Sequence, residues 1–307
     1  MTEENPEIHQ NKHDTQKYAG LGCVVFNKEI AENTWRIRIQ SIDFISHVKS
    51  GQFVMLRLPE ENDPLLGRPF AVYQIDFSTG TFDVIYLVVG KMTKRLTQIQ
   101  PGQSLELWGG LGNGWNIPQE ARNPEKVRHF IMVAGGIGQT PFYLFVQEIQ
   151  AEVERRRQIN SRCPNPVFTL LFGARTARRL CCMEEFRELG VDVCPVTEDG
   201  SLGQKGFATD YLPEAVARIR SVDKDDSEHK YRTVILGCGP RPMLRSLAQK
   251  AEELQLPAWV SLESPMSCGL GICFGCVVEW KTDDGTWDYR RTCTDGPVFE
   301  ASRLKWD

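Results

Sequence analysis

The hydrophobic pattern of the chain changes its period near the middle, and this change predicts two domains of different class. In the first part, short apolar segments alternate with polar residues, and turn residues such as Pro101 and Gly102 separate them. Regularly spaced short strands are typical of an antiparallel β-barrel. The predicted strands include residues 23–27, 34–40, 53–58, 70–76, 81–88 and 104–108.

The second part alternates strands with helices. It follows residues 109–126, a stretch rich in Gly, Asn and Pro that we interpret as a linker. A continuous apolar run, such as residues 129–134, is what a buried parallel strand requires. Further strands are predicted at residues 167–173, 192–197 and 233–236, and helices at residues 142–158, 183–189 and 242–254. This order predicts a doubly wound α/β domain with a parallel sheet.

Composition and charge exclude several classes of protein. The 307 residues are 41% hydrophobic and 25% charged, as in an ordinary globular protein of more than one domain. A net charge of −4 without any Lys/Arg run argues against nucleic acid. The sequence has no apolar run of about 18 residues and no apolar signal segment, so we expect a cytoplasmic protein without a membrane span. Residues 1–18 are predicted to be a disordered tail, and residues 223–230 a charged surface loop.

Four of the ten cysteines stand near the C-terminus in the spacing C-x4-C-x2-C-x16-C: Cys268, Cys273, Cys276 and Cys293. This is the plant-type spacing for a 2Fe-2S cluster, which needs two thiolates per iron. The glycines between them permit tight turns, and Leu270, Ile272 and Phe274 are expected to keep water off the cluster. Structural zinc and disulfides remain alternatives, although zinc favours paired C-x2-C motifs and disulfides need an oxidising compartment. The other six cysteines are scattered, as reduced thiols would be.

Two glycine-rich turns follow predicted parallel strands. Gly135-Gly136-Ile137-Gly138-Gln139-Thr140-Pro141 leads into a helix, where the glycines and the helix N-terminus could receive a pyrophosphate. Gly237-Cys238-Gly239-Pro240 ends another strand and could hold a second part of one dinucleotide. A tight turn without a ligand is the alternative for the first, and an ordinary buried thiol is the alternative for Cys238.

Two segments of the predicted barrel have the chemistry of a flavin site. Arg68-Pro69-Phe70-Ala71 combines a cation, a rigid turn and an aromatic ring at the start of a strand. Gly90-Lys91-Met92-Thr93 offers small residues and a hydroxyl that could serve a phosphate. Taken alone, each segment is equally well explained as a surface turn.

Together these motifs resemble the ferredoxin–NADP reductase superfamily, and within it the electron-transfer subunits of class B, NAD-linked dihydroorotate dehydrogenases. The resemblance covers nearly all of the chain after the tail. Its most specific parts are Ser261-Leu262-Glu263, the cysteine loop, and Asp295-Gly296-Pro297-Val298-Phe299 after the fourth cysteine. The chain departs from the family at Ala71, where a hydroxyl residue is usual, and at Met92, where glycine is common.

The resemblance implies the site residues. FAD contacts would fall on Arg68, Pro69, Phe70, Ala71, Ile85, Tyr86, Leu87, Met92 and Thr93. NAD(H) contacts would fall on Gly135, Gly136, Gly138, Thr140, Cys238, Gly239 and Pro240. The four cysteines of the C-terminal motif would hold the 2Fe-2S cluster. No catalytic residue is assigned, but Cys238 is a candidate neighbour of the bound nicotinamide.

The resemblance also implies domains and a partner. We expect an FAD-binding barrel at residues 19–120, an NAD-binding domain at 121–258 and a cluster module at 259–307. The expected role is electron transfer between NAD and an FMN-containing dihydroorotate dehydrogenase catalytic subunit in pyrimidine (UMP) biosynthesis, in a heterotetramer with two copies of each subunit. Arg175 would favour NADP, because a cation can bind the 2′-phosphate, whereas the pair Glu198-Asp199 would favour NAD. The resemblance favours NAD.

Three other functions remain open at this point. The chain could be a subunit of another NAD(P)H-dependent iron–sulfur flavoprotein reductase, such as a ferredoxin–NADP oxidoreductase or the diaphorase subunit of a hydrogenase. It could be a redox-sensing protein that uses a cluster without turnover. It could also be an inactive reductase fold with a structural zinc module.

Overall fold

The computed structural model describes residues 17–59, 62–161, 163–222 and 232–306. Most of the predicted tail and the whole predicted loop at residues 223–230 lie outside the described residues. Among the helices that are described, none combines the length and the apolar character that crossing a bilayer would require.

The first six strands close into an antiparallel barrel in the order β1-β2-β5-β4-β3-β6. The strands are β1 (Tyr18–Ala31), β2 (Thr34–Gln40), β3 (Phe53–Arg57), β4 (Arg68–Asp76), β5 (Thr81–Leu87) and β6 (Ser104–Leu111). Alternate side chains, such as Ile37 and Ile39 of β2, are fully buried in the barrel interior. Two short helices, α1 (Ile42–Ile45) and α2 (Lys91–Leu96), lie between strands. The predicted barrel is therefore confirmed.

A seven-stranded sheet follows, in the order β10-β9-β8-β7-β11-β12-β15. Its strands are β7 (His129–Gly135), β8 (Val167–Ala174), β9 (Asp192–Thr197), β10 (Gln204–Lys205), β11 (Thr233–Cys238), β12 (Ala258–Ser261) and β15 (Val298–Glu300). All neighbours pair in parallel except β12 and β15. The helices are α3 (Gln119–Arg122), α4 (Thr140–Arg157), α5 (Met183–Glu188), α6 (Leu212–Val222) and α7 (Arg241–Glu253). Separate hydrophobic cores cover the two faces of this sheet, as the predicted α/β domain requires.

The C-terminal segment begins and ends in strands of this sheet. Strand β12 spans the expected boundary at residue 258, and β15 returns to pair with it after the cysteine loop. Between them, β13 (Val277–Lys281) and β14 (Trp287–Arg291) form a separate two-stranded hairpin. The cysteine loop is thus anchored at both ends by strands of the nucleotide-binding sheet.

A buried ion-pair network joins the barrel to the second domain. Asp83 of β5 is 1% exposed and accepts hydrogen bonds from Arg36 Nε and Arg38 Nε, each at 2.6 Å. Arg36 Nη1 also lies 2.8 Å from Oε1 of Glu185 on α5, and the Tyr73 hydroxyl donates to Oε2 of Glu185 at 3.0 Å. One barrel arginine therefore connects a buried carboxylate of its own domain to a carboxylate of the other domain.

Candidate functional site

A cavity of about 450 Å³ lies where the barrel, the glycine turns and the C-terminal segment meet. Its barrel wall consists of apolar and aromatic residues: Gly51, Phe53, Pro69, Phe70, Ala71, Ile85, Tyr86 and Leu87. The opposite wall comes from the sheet edge and the C-terminal segment: Ile137, Thr140, Pro141, Cys238, Ser261, Leu262, Glu263, Ser264, Pro265, Met266 and Pro297. Apolar walls with a few polar groups on one side fit a flat ring such as a flavin.

The structure brings only part of the predicted flavin residues to this cavity. Arg68 is exposed, and its guanidinium donates to the carbonyls of Leu66 and Gly67 in its own turn. Met92 packs in the barrel core. The Thr93 hydroxyl accepts hydrogen bonds from backbone N–H groups at the start of α2. These three residues therefore shape the turns beside the cavity and do not line it.

The two glycine turns pack directly against each other. A Cβ atom on Gly138 would lie 2.1 Å from the carbonyl oxygen of Cys238, and one on Gly239 would lie 2.9 Å from the nitrogen of Gly135. A Cβ on Gly135 would meet Pro240 Cδ at 2.7 Å. Gly136 differs, because its φ is +54° and no atom lies within 4 Å of the added Cβ. The turns thus depend on close backbone approach, and only Gly136 faces open space.

Replacing Gly138 by alanine is expected to destabilise the fold by about 3 kcal/mol, because a backbone carbonyl cannot move aside as a flexible side chain can. Gly136→Ala is the matched control in the same turn. It meets no neighbour and costs only the left-handed backbone strain of about 1 kcal/mol. Denaturant unfolding of both variants would measure the difference. Equal losses would show that close packing of the turns is unimportant.

Cys238 and Glu263 both line the cavity, and the pKa of each side chain is raised. Burial, and to a lesser degree the charge of Glu263, raises the pKa of the Cys238 thiol, which is 5% exposed. Glu263 is exposed on the cavity wall, but protein atoms surround it on most sides, and this desolvation raises the pKa of its carboxyl. A neutral thiol and a carboxyl that holds its proton to higher pH therefore lie together on one wall.

Glu263→Gln is expected to increase stability at about pH 8, and the gain should shrink toward about pH 5. A carboxyl with a raised pKa binds protons more tightly in the folded state. The free energy of unfolding therefore falls as the pH rises above the ordinary value of 4.5 toward the raised pKa. Thermal midpoints across this range would test the effect, with Glu253→Gln on the exposed surface of α7 as the control. A gain independent of pH would contradict this explanation.

The four cysteines of the C-terminal motif form two pairs. The Sγ atoms of Cys268 and Cys273 lie 3.4 Å apart near the surface. Cys276 and Cys293 are 2% and 1% exposed and pack in one buried cluster. Within the described ranges, no three His, Cys, Asp or Glu side chains are placed to hold a single ion. Two pairs of thiols are the ligand set for the two irons of a 2Fe-2S cluster.

Backbone N–H groups favour the thiolate form of Cys268. Partial burial of Cys268 acts against ionisation, but hydrogen bonds from the backbone of Leu270, Cys273 and Ile272 lower its pKa to about 6. Burial, followed by the hydrogen bond and charge of Cys276, instead raises the pKa of Cys293 to about 12. Iron binds thiolates, so cluster assembly must release a proton from Cys293, whereas the lowered pKa of Cys268 favours its thiolate at neutral pH.

Contacts from two parts of the chain hold the cysteine loop in place. The Trp108 indole on β6 donates to the carbonyl of Cys268 at 3.0 Å. Arg291 of β14 donates to the carbonyl of Gly271 at 3.1 Å, and its guanidinium lies over the ring of Phe274. The loop therefore keeps its shape through contacts with both the barrel and the hairpin.

The segment after the fourth cysteine is tied to the barrel by one side chain. Asn113 Nδ2 donates to the carbonyls of Asp295 and Val298 at 3.0 and 2.8 Å, and its Oδ1 accepts from the N–H of Val298 at 3.1 Å. The segment Asp295 to Phe299 thus has a structural role, because it joins the end of the barrel to the last strand of the sheet.

Sequence reasoning gave no role to several residues of the site. Phe53, Met266 and Glu263 line the cavity, but only Glu263 had been singled out, as part of the motif Ser261-Leu262-Glu263. Neither Trp108 nor Asn113 belongs to one of the sequence motifs described above. Of the residues considered for nucleotide preference, Asp199 is engaged in its own turn, where it accepts hydrogen bonds from the backbone and hydroxyl of Ser201.

Three family models match the chain in succession. Residues 23–115 match an oxidoreductase FAD-binding domain and residues 132–249 an oxidoreductase NAD-binding domain. Residues 263–305 match the iron–sulfur cluster binding domain of dihydroorotate dehydrogenase B. The chain therefore contains the binding domains for FAD, NAD and an iron–sulfur cluster, as its motifs predicted.

Curated relatives match over almost their whole length. The dihydroorotate dehydrogenase B (NAD(+)) electron transfer subunit of Desulforamulus reducens is 32% identical over 91% of this chain and 95% of its own. The corresponding subunit of Geobacillus kaustophilus is 34% identical over 92% and 96%. Among solved structures, an NADH-dependent reduced ferredoxin-NADP oxidoreductase studied for electron bifurcation has a TM-score of 0.73 and 27% identity, and covers 94% of this chain and 91% of its own.

Proposed function

Because the chain belongs to the family of electron-transfer subunits of NAD-linked dihydroorotate dehydrogenase B, we propose that it carries electrons between NAD and the FMN of a dihydroorotate-oxidising catalytic subunit. The chain is an oxidoreductase subunit of pyrimidine biosynthesis that does not itself bind dihydroorotate. Bound FAD exchanges two electrons with nicotinamide and single electrons with the cluster.

The observation that carries this proposal is an apolar core shared by the flavin cavity and the cluster site. Phe53 and Met266 line the cavity, and the same two side chains pack with Cys276 and Cys293 in one buried cluster. Only protein interior therefore separates the inner pair of cysteines from the cavity. This arrangement keeps water away and makes the path between the two groups short.

The outer side of the cysteine loop offers a surface for the partner. Ile272 and Phe274 are 75% and 64% exposed, and the hairpin adds Trp287 and Tyr289 at 48% and 66%. Leu270, the third apolar residue expected to keep water off the cluster, is 41% exposed. An exposed apolar patch marks an interaction site, and here the water is excluded when a partner covers it.

The complex is proposed to contain two copies of each subunit and to reside in the cytoplasm. The location is supported by the cysteines, because none of the ten forms a disulfide. Native mass spectrometry of the co-purified subunits would test the stoichiometry. A complex with one copy of each subunit would contradict it.

The direct test is NAD⁺ reduction by dihydroorotate with the two subunits purified together. The pair should reduce NAD⁺, whereas the present chain alone should transfer electrons only between NADH and a dye. Failure of the chain to form a complex with any dihydroorotate dehydrogenase catalytic subunit would contradict the proposal.

A second function is favoured by the solved structure with a TM-score of 0.73, an oxidoreductase acting on ferredoxin and NADP. In that case the apolar patch would receive a different electron-transfer subunit, while the FAD and cluster sites stayed the same. NADH-dependent reduction of ferredoxin together with inactivity toward dihydroorotate would support this alternative.

A further inference from the structure

Two adjacent cysteines, Cys181 and Cys182, lie outside the proposed path of the electrons. They immediately precede α5, and both line a second cavity of about 580 Å³. The barrel forms the opposite wall of this cavity with Phe26, Lys28, Ile30, Arg36 and Arg38. The two thiols therefore face one solvent-accessible space at the seam between the two domains.

The Cys181 sulfur lies beside the dinucleotide turn, where Gln139 Nε2 donates to it at 3.7 Å. The adjacent Cys182 thiol, aided by Gln139 and opposed by burial, lowers the pKa of Cys181. Cys182 has a left-handed backbone with φ +60°. Two neighbouring thiols on one cavity suit a soft metal or metalloid, which prefers thiolate ligands.

We propose that Cys181 and Cys182 form a dithiol site for a thiophilic metalloid or metal ion, and that the ion that fits best is trivalent arsenic. An ion bound at this site weakens the binding of the dinucleotide through Gln139. With an organic arsenoxide, two As–S bonds form and the arsenic–oxygen bond breaks. The oxygen leaves as water with the two thiol protons. Arsenic remains trivalent, so the step needs no oxidant or reductant.

Gln139 provides the coupling to the dinucleotide turn. It is the last residue of the 3-10 turn Gly136–Gln139 and precedes Thr140, which lines the flavin cavity. Its side chain is fully buried, and its Oε1 has no hydrogen-bond partner within the part of the chain that the structure describes. When arsenic replaces the proton on the Cys181 sulfur, that sulfur becomes a poorer hydrogen-bond acceptor, and the bond from Nε2 of the buried amide is weakened as well. An unsatisfied buried amide is costly, so the turn is expected to shift.

The experiment titrates the holoprotein with phenylarsine oxide and follows it by native mass spectrometry. One adduct per chain is expected, removable by a dithiol but not by a monothiol, while the visible absorbance of the iron–sulfur cluster stays unchanged. The adduct should disappear in Cys181→Ser and in Cys182→Asn, which tolerates the left-handed backbone. It should persist in the control Cys194→Ser. An adduct that persists in both dithiol variants, or none in the parent protein, would overturn the site.

The coupling is tested by NAD⁺ affinity with and without the arsenical. Binding is expected to weaken on the order of tenfold in the parent protein and to stay constant in Cys181→Ser. Because coupling is reciprocal, saturating NAD⁺ should weaken arsenical binding by the same factor. An adduct that leaves NAD⁺ affinity unchanged would overturn the role of Gln139.

Discussion

Cys276→Ser is expected to abolish electron transfer to the dihydroorotate-oxidising partner while FAD binding and the NADH-to-dye reaction continue. Cys276 is 2% exposed and packs with Cys293 in one buried cluster, so a serine there is expected to leave one iron with a single thiolate. A serine hydroxyl does not ionise near neutral pH and cannot replace that ligand. Iron content, flavin content and the two activities would be measured on the same preparation.

Cys194→Ser is the matched control for this prediction. Cys194 is partly buried in β9, distant in sequence from the cysteine motif. The control should keep both iron and partner-dependent activity. If Cys276→Ser retained full transfer to the partner, the cluster would not be on the electron path.

Asp83→Asn is expected to destabilise the protein by about 3–5 kcal/mol, because it leaves Arg36 and Arg38 without their shared carboxylate in a buried position. Asp83 is 1% exposed and Arg36 only 12%. The amide keeps the size of the side chain, so the loss reports charge and hydrogen bonding, not packing. Chemical denaturation monitored by tryptophan fluorescence would give the free energy of unfolding.

Asp192→Asn is the control for Asp83→Asn. Asp192 also pairs with an arginine, Arg218, but both side chains are about half exposed, at 49% and 56%. Exposed ion pairs contribute little, so the control should unfold close to the parent protein. Similar stability of the two variants would show that the buried carboxylate of Asp83 contributes little to the stability of the protein.

The sequence predicted the barrel and the parallel strands well where the hydrophobic pattern is periodic. Strands β2 and β9 begin and end at the predicted residues, because alternation or a continuous apolar run marks them clearly. Strands β12 and β15 have four and three residues and gave no such signal. They form strands because they pair with the edge of the sheet that the other strands build. Such tertiary pairing leaves no signal in the local sequence.

The site was predictable to the extent that it is local in sequence. The cysteine spacing by itself predicts the four cluster ligands. The cavity is different, because Phe53, Cys238 and Met266 come together from three distant segments. Met92 stands in the proposed flavin motif, but its side chain packs in the barrel core. Motif membership did not determine which way a side chain faces.

The most direct test of the electron path is the EPR spectrum of the iron–sulfur cluster in the purified complex. Dihydroorotate and NADH, added separately under anaerobic conditions, should each produce the signal of the reduced cluster. In a complex that contains Cys276→Ser, neither substrate should produce it. A cluster that NADH reduces but dihydroorotate does not, in a complex whose catalytic subunit is active, would contradict the proposed function.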